Sequence, residues 1–163
     1  MLRQLTIILA AGALALSACH RSLPDNAEPS KAFLERTART PGVTSLPSGL
    51  MVQVVRSGPK EGLRPGPFDE VKVNYEGKLV DGTVFDSSYQ KGQAATFTPR
   101  GVIKGWQEAL QLMRPGDEWI VYVPPKLGYG EEGAGGVIPP NAALIFRIEL
   151  LGVLPAEGRV QTG

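Results

Sequence analysis

Apolar and polar residues alternate at period two in four stretches of this chain: Val52 to Val55, Val71 to Tyr75, Trp119 to Val123 and Leu144 to Leu150. Successive side chains of a strand point to opposite faces, so each stretch predicts a half-buried strand. One segment breaks that rhythm. Ile103, Trp106, Leu110 and Met113 recur at spacings of three, four and three, which lines one face of a helix, and Pro115 with Gly116 ends it. Asp81 and Gly82 between apolar runs predict a hairpin turn, while Pro124 to Asn141 is a long loop too ordered in composition to be a linker. These elements predict an α+β fold, an antiparallel twisted β-sheet wrapped around one short α-helix.

Upstream of Gly49 the pattern changes. From His20 to Ser48 the chain is mostly polar and interrupted by Pro24, Pro29, Pro41 and Pro47, which predicts a spacer. Within it, Lys31 to Arg39 allows a short helix capped by Ser30. Further upstream, Arg3 precedes an apolar run from Leu5 to Leu16 that ends at Ser17 and Ala18, the arrangement of a secretory signal. A membrane-spanning helix needs about 20 apolar residues, and this run is shorter. Leu16, Ser17, Ala18 and Cys19 resemble a bacterial lipobox, in which the cysteine is acylated and becomes the new N-terminus. The expected organisation is a signal peptide over 1–18, a lipidated Cys19 and linker over 19–48, a domain over 49–154 and a tail over 155–163.

Composition then removes several classes of function. Seventeen basic residues stand against sixteen acidic ones, so no general surface for nucleic acid is implied. Cys19 is the only cysteine, which excludes an intramolecular disulfide. The only histidine is His20, beside the expected anchor, so no Ser-His-Asp, Cys-His or histidine-metal site can form in the domain. Glu131 and Glu132 lie in a glycine-rich loop and read as solvated rather than as a glycosidase pair. The stretch GYGEEG matches a dinucleotide fingerprint in form, but no helix follows it and its glutamates would repel a pyrophosphate. No cofactor and no metal are expected.

Five segments hold six of the eleven aromatic residues: VNYEGKLVDGTVFDSS, FTPRGVIKGWQEAL, VPPKLGYG, GVIPP and ALIFRIELL. Their order resembles the FKBP-type peptidyl-prolyl cis/trans isomerases: a tyrosine before a glycine, FDSS, VI-x-GW, YG, IPP and a phenylalanine in the last strand. The stretch from Lys31 to Leu50 also resembles the junction before the catalytic domain in the subgroup that includes macrophage infectivity potentiator. Members of that subgroup carry a long dimerising helical region upstream, of which almost none stands here, so a monomer is expected.

The resemblance implies an apolar pocket that binds rather than cuts. Trp106 would form its floor, with Tyr75, Phe85, Val102, Ile103 and Phe146 as walls and with Phe97 and Ile138 also touching substrate. Tyr129 would donate its hydroxyl to a substrate carbonyl, and Asp86 would face the twisted amide or hold a polar neighbour. Read without the resemblance, the aromatics are core and Asp86 is a turn residue capping Ser87 and Ser88. Ala95 stands where some family members carry a further aromatic residue, so a more open side wall is expected. The implied partners are proline-containing polypeptide segments, with macrolides as candidate inhibitors and a lipid anchor in the cell envelope, the outer membrane being preferred. A peptide-binding module or holdase chaperone using the same pocket without turnover is the rival reading.

Overall fold

The structure, a computed structural model, describes residues 23–158. The expected signal peptide, the acylated Cys19 and residues 159–163 of the tail lie outside the described residues. Strands β1 (Val43–Ser45), β2 (Met51–Arg56), β3 (Glu70–Leu79), β4 (Val84–Ser87), β5 (Ala95–Phe97), β6 (Glu118–Val123) and β7 (Leu144–Leu154) form one sheet. Its order is β1-β2-β6-β7-β3-β4, with β5 also paired to β3, and every pairing is antiparallel. Helices α1 (Ala27–Thr37), α2 (Ser88–Lys91) and α3 (Lys104–Leu112) complete the α+β architecture.

The long β3–β7 pair sets the register of the centre. Val73 faces Leu150, Tyr75 faces Ile148 and Gly77 faces Phe146 across it, while Val121 and Val123 of β6 face Phe146 and Leu144. Period-two geometry puts these apolar residues on one face, where Val71, Val73, Val121, Val123, Leu144, Ile148 and Leu150 are fully buried. Helix α3 lies on that face with Trp106, Ala109 and Leu110 buried, and Met113 just beyond its end is buried too. Gly105 lets it come close. A Cβ there would stand 2.8 Å from Val123 Cγ1, so any side chain would lever the helix off the sheet.

The opposite face carries charge and α1. Glu118 receives Arg147 Nε at 2.5 Å and Arg56 at 3.5 Å, and Arg56 also reaches Glu149 at 2.6 Å, a ladder over β2, β6 and β7. At the other end of that face the Phe33 ring of α1 lies 6.1 Å from Tyr122.

Four expectations about local structure need correction. The stretch read as a spacer with a short helix also contains β1, which pairs with β2 through Val43, Thr44 and Ser45. Helix α1 begins at Ala27, ahead of Ser30. Pro29 does not prevent this start, because a first-turn proline lacks only an N–H that has no intrahelical partner anyway. Ser30 is therefore inside the helix and does not cap it; Asp25 Oδ1 accepts from the Ala27 N–H at 2.9 Å instead. Asp86 lies in β4, and it is Ser87 that caps α2, accepting from the Gln90 N–H at 3.3 Å.

Candidate functional site

Trp106 is boxed by ring edges. The centroids of Tyr75, Phe97 and Phe146 lie 5.2, 5.6 and 5.3 Å from it, at interplanar angles of 86°, 83° and 87°. Edge-to-face packing sets the positive ring edges against negative π faces, so the box is specified in geometry as well as apolar. Each wall comes from a different element: Tyr75 from β3, Phe97 from β5, Phe146 from β7 and the floor from α3. Phe85 of β4 extends the wall, edge-on to Phe146 at 5.6 Å. Trp106, Tyr75 and Phe146 are about 95% buried, whereas Phe85 and Phe97 are partly open.

A glycine makes room for two of these rings. A Cβ on Gly77 would stand 2.6 Å from Phe85 Cζ and 2.7 Å from Phe146 Cε1, closer than side chains tolerate. The sequence pattern of a tyrosine before a glycine carries this residue, but nothing in it says that the glycine shapes the wall.

Polar groups sit at the margin. The Tyr75 hydroxyl donates to Asp86 Oδ2 at 2.5 Å, and Lys91 Nζ donates to Asp86 Oδ1 at 2.6 Å. Both carboxylate oxygens thus have a partner. Lys91 was missed by sequence reasoning, since only α2, ending at Lys91, returns its ammonium to Asp86 five residues back. Ser88 fixes the backbone beside them, accepting from the Tyr75 N–H at 2.8 Å. Burial, then the bond to the Asp86 carboxylate and its charge, hold the Tyr75 phenol well above the usual tyrosine range. Burial and the Asp86 charge raise Tyr129 as well. Tyr129 makes no side-chain hydrogen bond among the described residues, which leaves its neutral hydroxyl free to donate.

The loop Pro124 to Asn141 supplies the remaining side. Tyr129 is half-buried and Ile138 is buried, both packed against the cluster that contains Trp106, as are Val102 and Ile103 at the start of α3. Paired hydrogen bonds of 2.9 Å between Ala134 and Ile138 close the loop on itself. Gly133 permits that closure, because a Cβ there would meet the Ile138 carbonyl oxygen at 2.2 Å. Of the residues singled out from the sequence, Tyr75, Phe97 and Phe146 meet at Trp106, Phe85 joins through Phe146 and Asp86 through Tyr75, while Val102, Ile103, Tyr129 and Ile138 belong to the same apolar cluster. Among the described residues no cluster of histidine, cysteine and carboxylates could hold a metal ion.

Comparison with known proteins agrees with this geometry. The sequence model of the FKBP-type peptidyl-prolyl cis-trans isomerases matches residues 62–151. The peptidyl-prolyl cis-trans isomerase Mip of Coxiella burnetii is 57% identical over 128 residues, covering 78% of this chain and 55% of the relative. The outer membrane protein MIP of Legionella longbeachae is 45% identical over 137 residues, 84% of this chain and 58% of the relative. The chain thus spans little more than half the length of these relatives. The crystal structure of FkpA from Escherichia coli superposes with a TM-score of 0.76 at 43% identity, covering 80% of this chain and 60% of that one. With the pocket, the fold and the sequence in agreement, the chain belongs to the FKBP-type peptidyl-prolyl cis-trans isomerase family.

Proposed function

We propose that the protein catalyses rotation about X-Pro peptide bonds and so assists the folding of proteins in the bacterial cell envelope. The observation that carries this reading is the box of edge-on rings around Trp106, with the unpaired Tyr129 hydroxyl beside it. The uncatalysed barrier of about 18–20 kcal/mol is resonance lost as the C–N bond twists. Water favours the resonant, polar form, so an amide drawn into the apolar box loses more ground-state than twisted-state stabilisation. Tyr129 donates to a substrate carbonyl and orients it. Asp86, with its oxygens engaged by Tyr75 and Lys91, holds the wall. Reaching millisecond turnover from about 100 s requires a factor of roughly 10⁵, about 7 kcal/mol, and desolvation with orientation is the source.

Proline-containing segments are the substrates in this reading, macrolides are candidate inhibitors, and the mature chain acts as a monomer held to the outer membrane by acylated Cys19. That the Legionella longbeachae relative is an outer membrane protein supports that location. A proline-limited refolding assay tests the activity: acceleration at catalytic concentration is expected. Acceleration only at stoichiometric amounts would make the protein a holdase, and none at any concentration would end both readings. Palmitate labelling that survives Cys19→Ser would show that the anchor lies elsewhere.

A further inference from the structure

Both ends of the loop that carries Tyr129 and Ile138 meet at Asn141, and α1 grips that residue. The Asn141 N–H donates to the carbonyl of Gly130, next to Tyr129, at 2.8 Å. Its own carbonyl accepts from the Ser30 hydroxyl at 2.8 Å, and its side-chain amide donates to Asp25 Oδ1 at 3.1 Å. Ser30 also accepts from the Ala143 N–H at 2.7 Å, and the Asn26 N–H donates to the Pro140 carbonyl at 2.9 Å. Among the described residues Asn141 is the one non-glycine residue with positive φ, at 56°. Such a conformation persists where its surroundings over-determine it, and here most of those surroundings are the start of α1. Ser30 is 1% exposed, and its hydroxyl spends both donor and acceptor on the far end of the chain.

We infer that α1 is a positioning element of the pocket, and that Ser30 is a positioning residue that sets Tyr129 and Ile138 through Asn141. The inference rests on the isomerase reading, because it assigns Tyr129 a task that Ser30 serves. Its consequence is that the segment leading from the expected anchor into the domain also tunes the site.

A double-mutant cycle in the full mature chain tests this. Tyr129→Phe should lower kcat/KM about fivefold, what one hydrogen bond of ordinary strength contributes. In a Ser30→Ala background, where the hydroxyl is no longer held in place, the same change should cost less than about twofold. Thr37→Ala, which removes a bond from Thr37 to Phe33 within α1, should leave the fivefold factor intact. Asp25→Ala, at an exposed position, repeats the cycle if Ser30→Ala fails to fold. Amide exchange gives a readout independent of activity: in Ser30→Ala, Ile138 and Asn141 should accelerate about tenfold beyond any change at Val73 and Ile148. An equal Tyr129→Phe factor in all backgrounds, or loop amides that follow the core amides, would overturn the proposal. A wild type without activity would overturn the isomerase reading instead, and the exchange comparison then decides the role of α1 by itself.

Discussion

Helix α3 presents Trp106, Ala109 and Leu110 to the inner face of the sheet, whereas the buried residues of α1, on the outer face, are Ser30 and Thr37. The first helix is fixed by apolar area, a term that is roughly 25 cal/mol per Å² and indifferent to direction. The second is fixed by a few hydrogen bonds whose worth depends on angle and partner. Loss of packing therefore weakens α3 gradually with volume removed, while α1 is weakened in a single step when one hydroxyl is gone. A single sheet thus carries a helix that forms the floor of the pocket and another that registers its loop.

The comparison breaks most visibly at the floor. Trp106→Ala should cost about 3–5 kcal/mol in denaturant unfolding and abolish isomerisation, because a box without a floor cannot hold a prolyl ring. A folded, fully active variant would show that the pocket lies elsewhere. Gly105→Ala sharpens the same side: its Cβ strikes Val123, and about 1–3 kcal/mol of overpacking should appear in spite of the better helix propensity of alanine. On the other side, Ser30→Ala should cost about 1–3 kcal/mol, since it strands the buried Ala143 N–H and the Asn141 carbonyl.

Alkali distinguishes the two faces more gently. All four tyrosines are raised, Tyr75 furthest, through burial and Asp86, and Tyr122 beside α1 through burial alone. A raised phenol contributes stability that is complete below the unfolded value, near 10, and is lost as pH rises from there toward the folded value, because the unfolded chain releases its proton first. Unfolding titrations above pH 10 should show this decline, and Tyr75→Phe should flatten it more than Tyr122→Phe. The smallest effect belongs to the charged ladder. Arg56→Ala should change stability by no more than about 1 kcal/mol, as its side chain is half exposed, and added salt should shrink the difference further.

The same contrast explains what could be read from the sequence. The 3-4-3 spacing from Ile103 to Met113 and the alternation in β3, β6 and β7 are local records of burial, and the structure follows them. Strands β4 and β5, of four and three residues, are too short to display a period. Helix α1 was expected to begin after Ser30, as part of a spacer, because nothing near residue 30 reveals a partner 111 residues away. In the site, motif order is enough to group Trp106, Tyr75, Phe146 and Asp86, which the fold brings together. It could not reveal Lys91, whose role depends on where α2 ends, or that Gly77 yields its volume to Phe85 and Phe146.

Both tryptophans of the chain, Trp106 and Trp119, bury an indole nitrogen that meets no hydrogen-bond acceptor among the described residues. A buried indole emits light at the short-wavelength end of its range, so the folded protein should fluoresce toward the blue and shift red on unfolding. Trp119→Phe would leave Trp106 as the sole emitter, seated where a prolyl ring would rest. The floor of the pocket would then serve as its own optical probe, and titration with proline peptides would report occupancy without any attached dye.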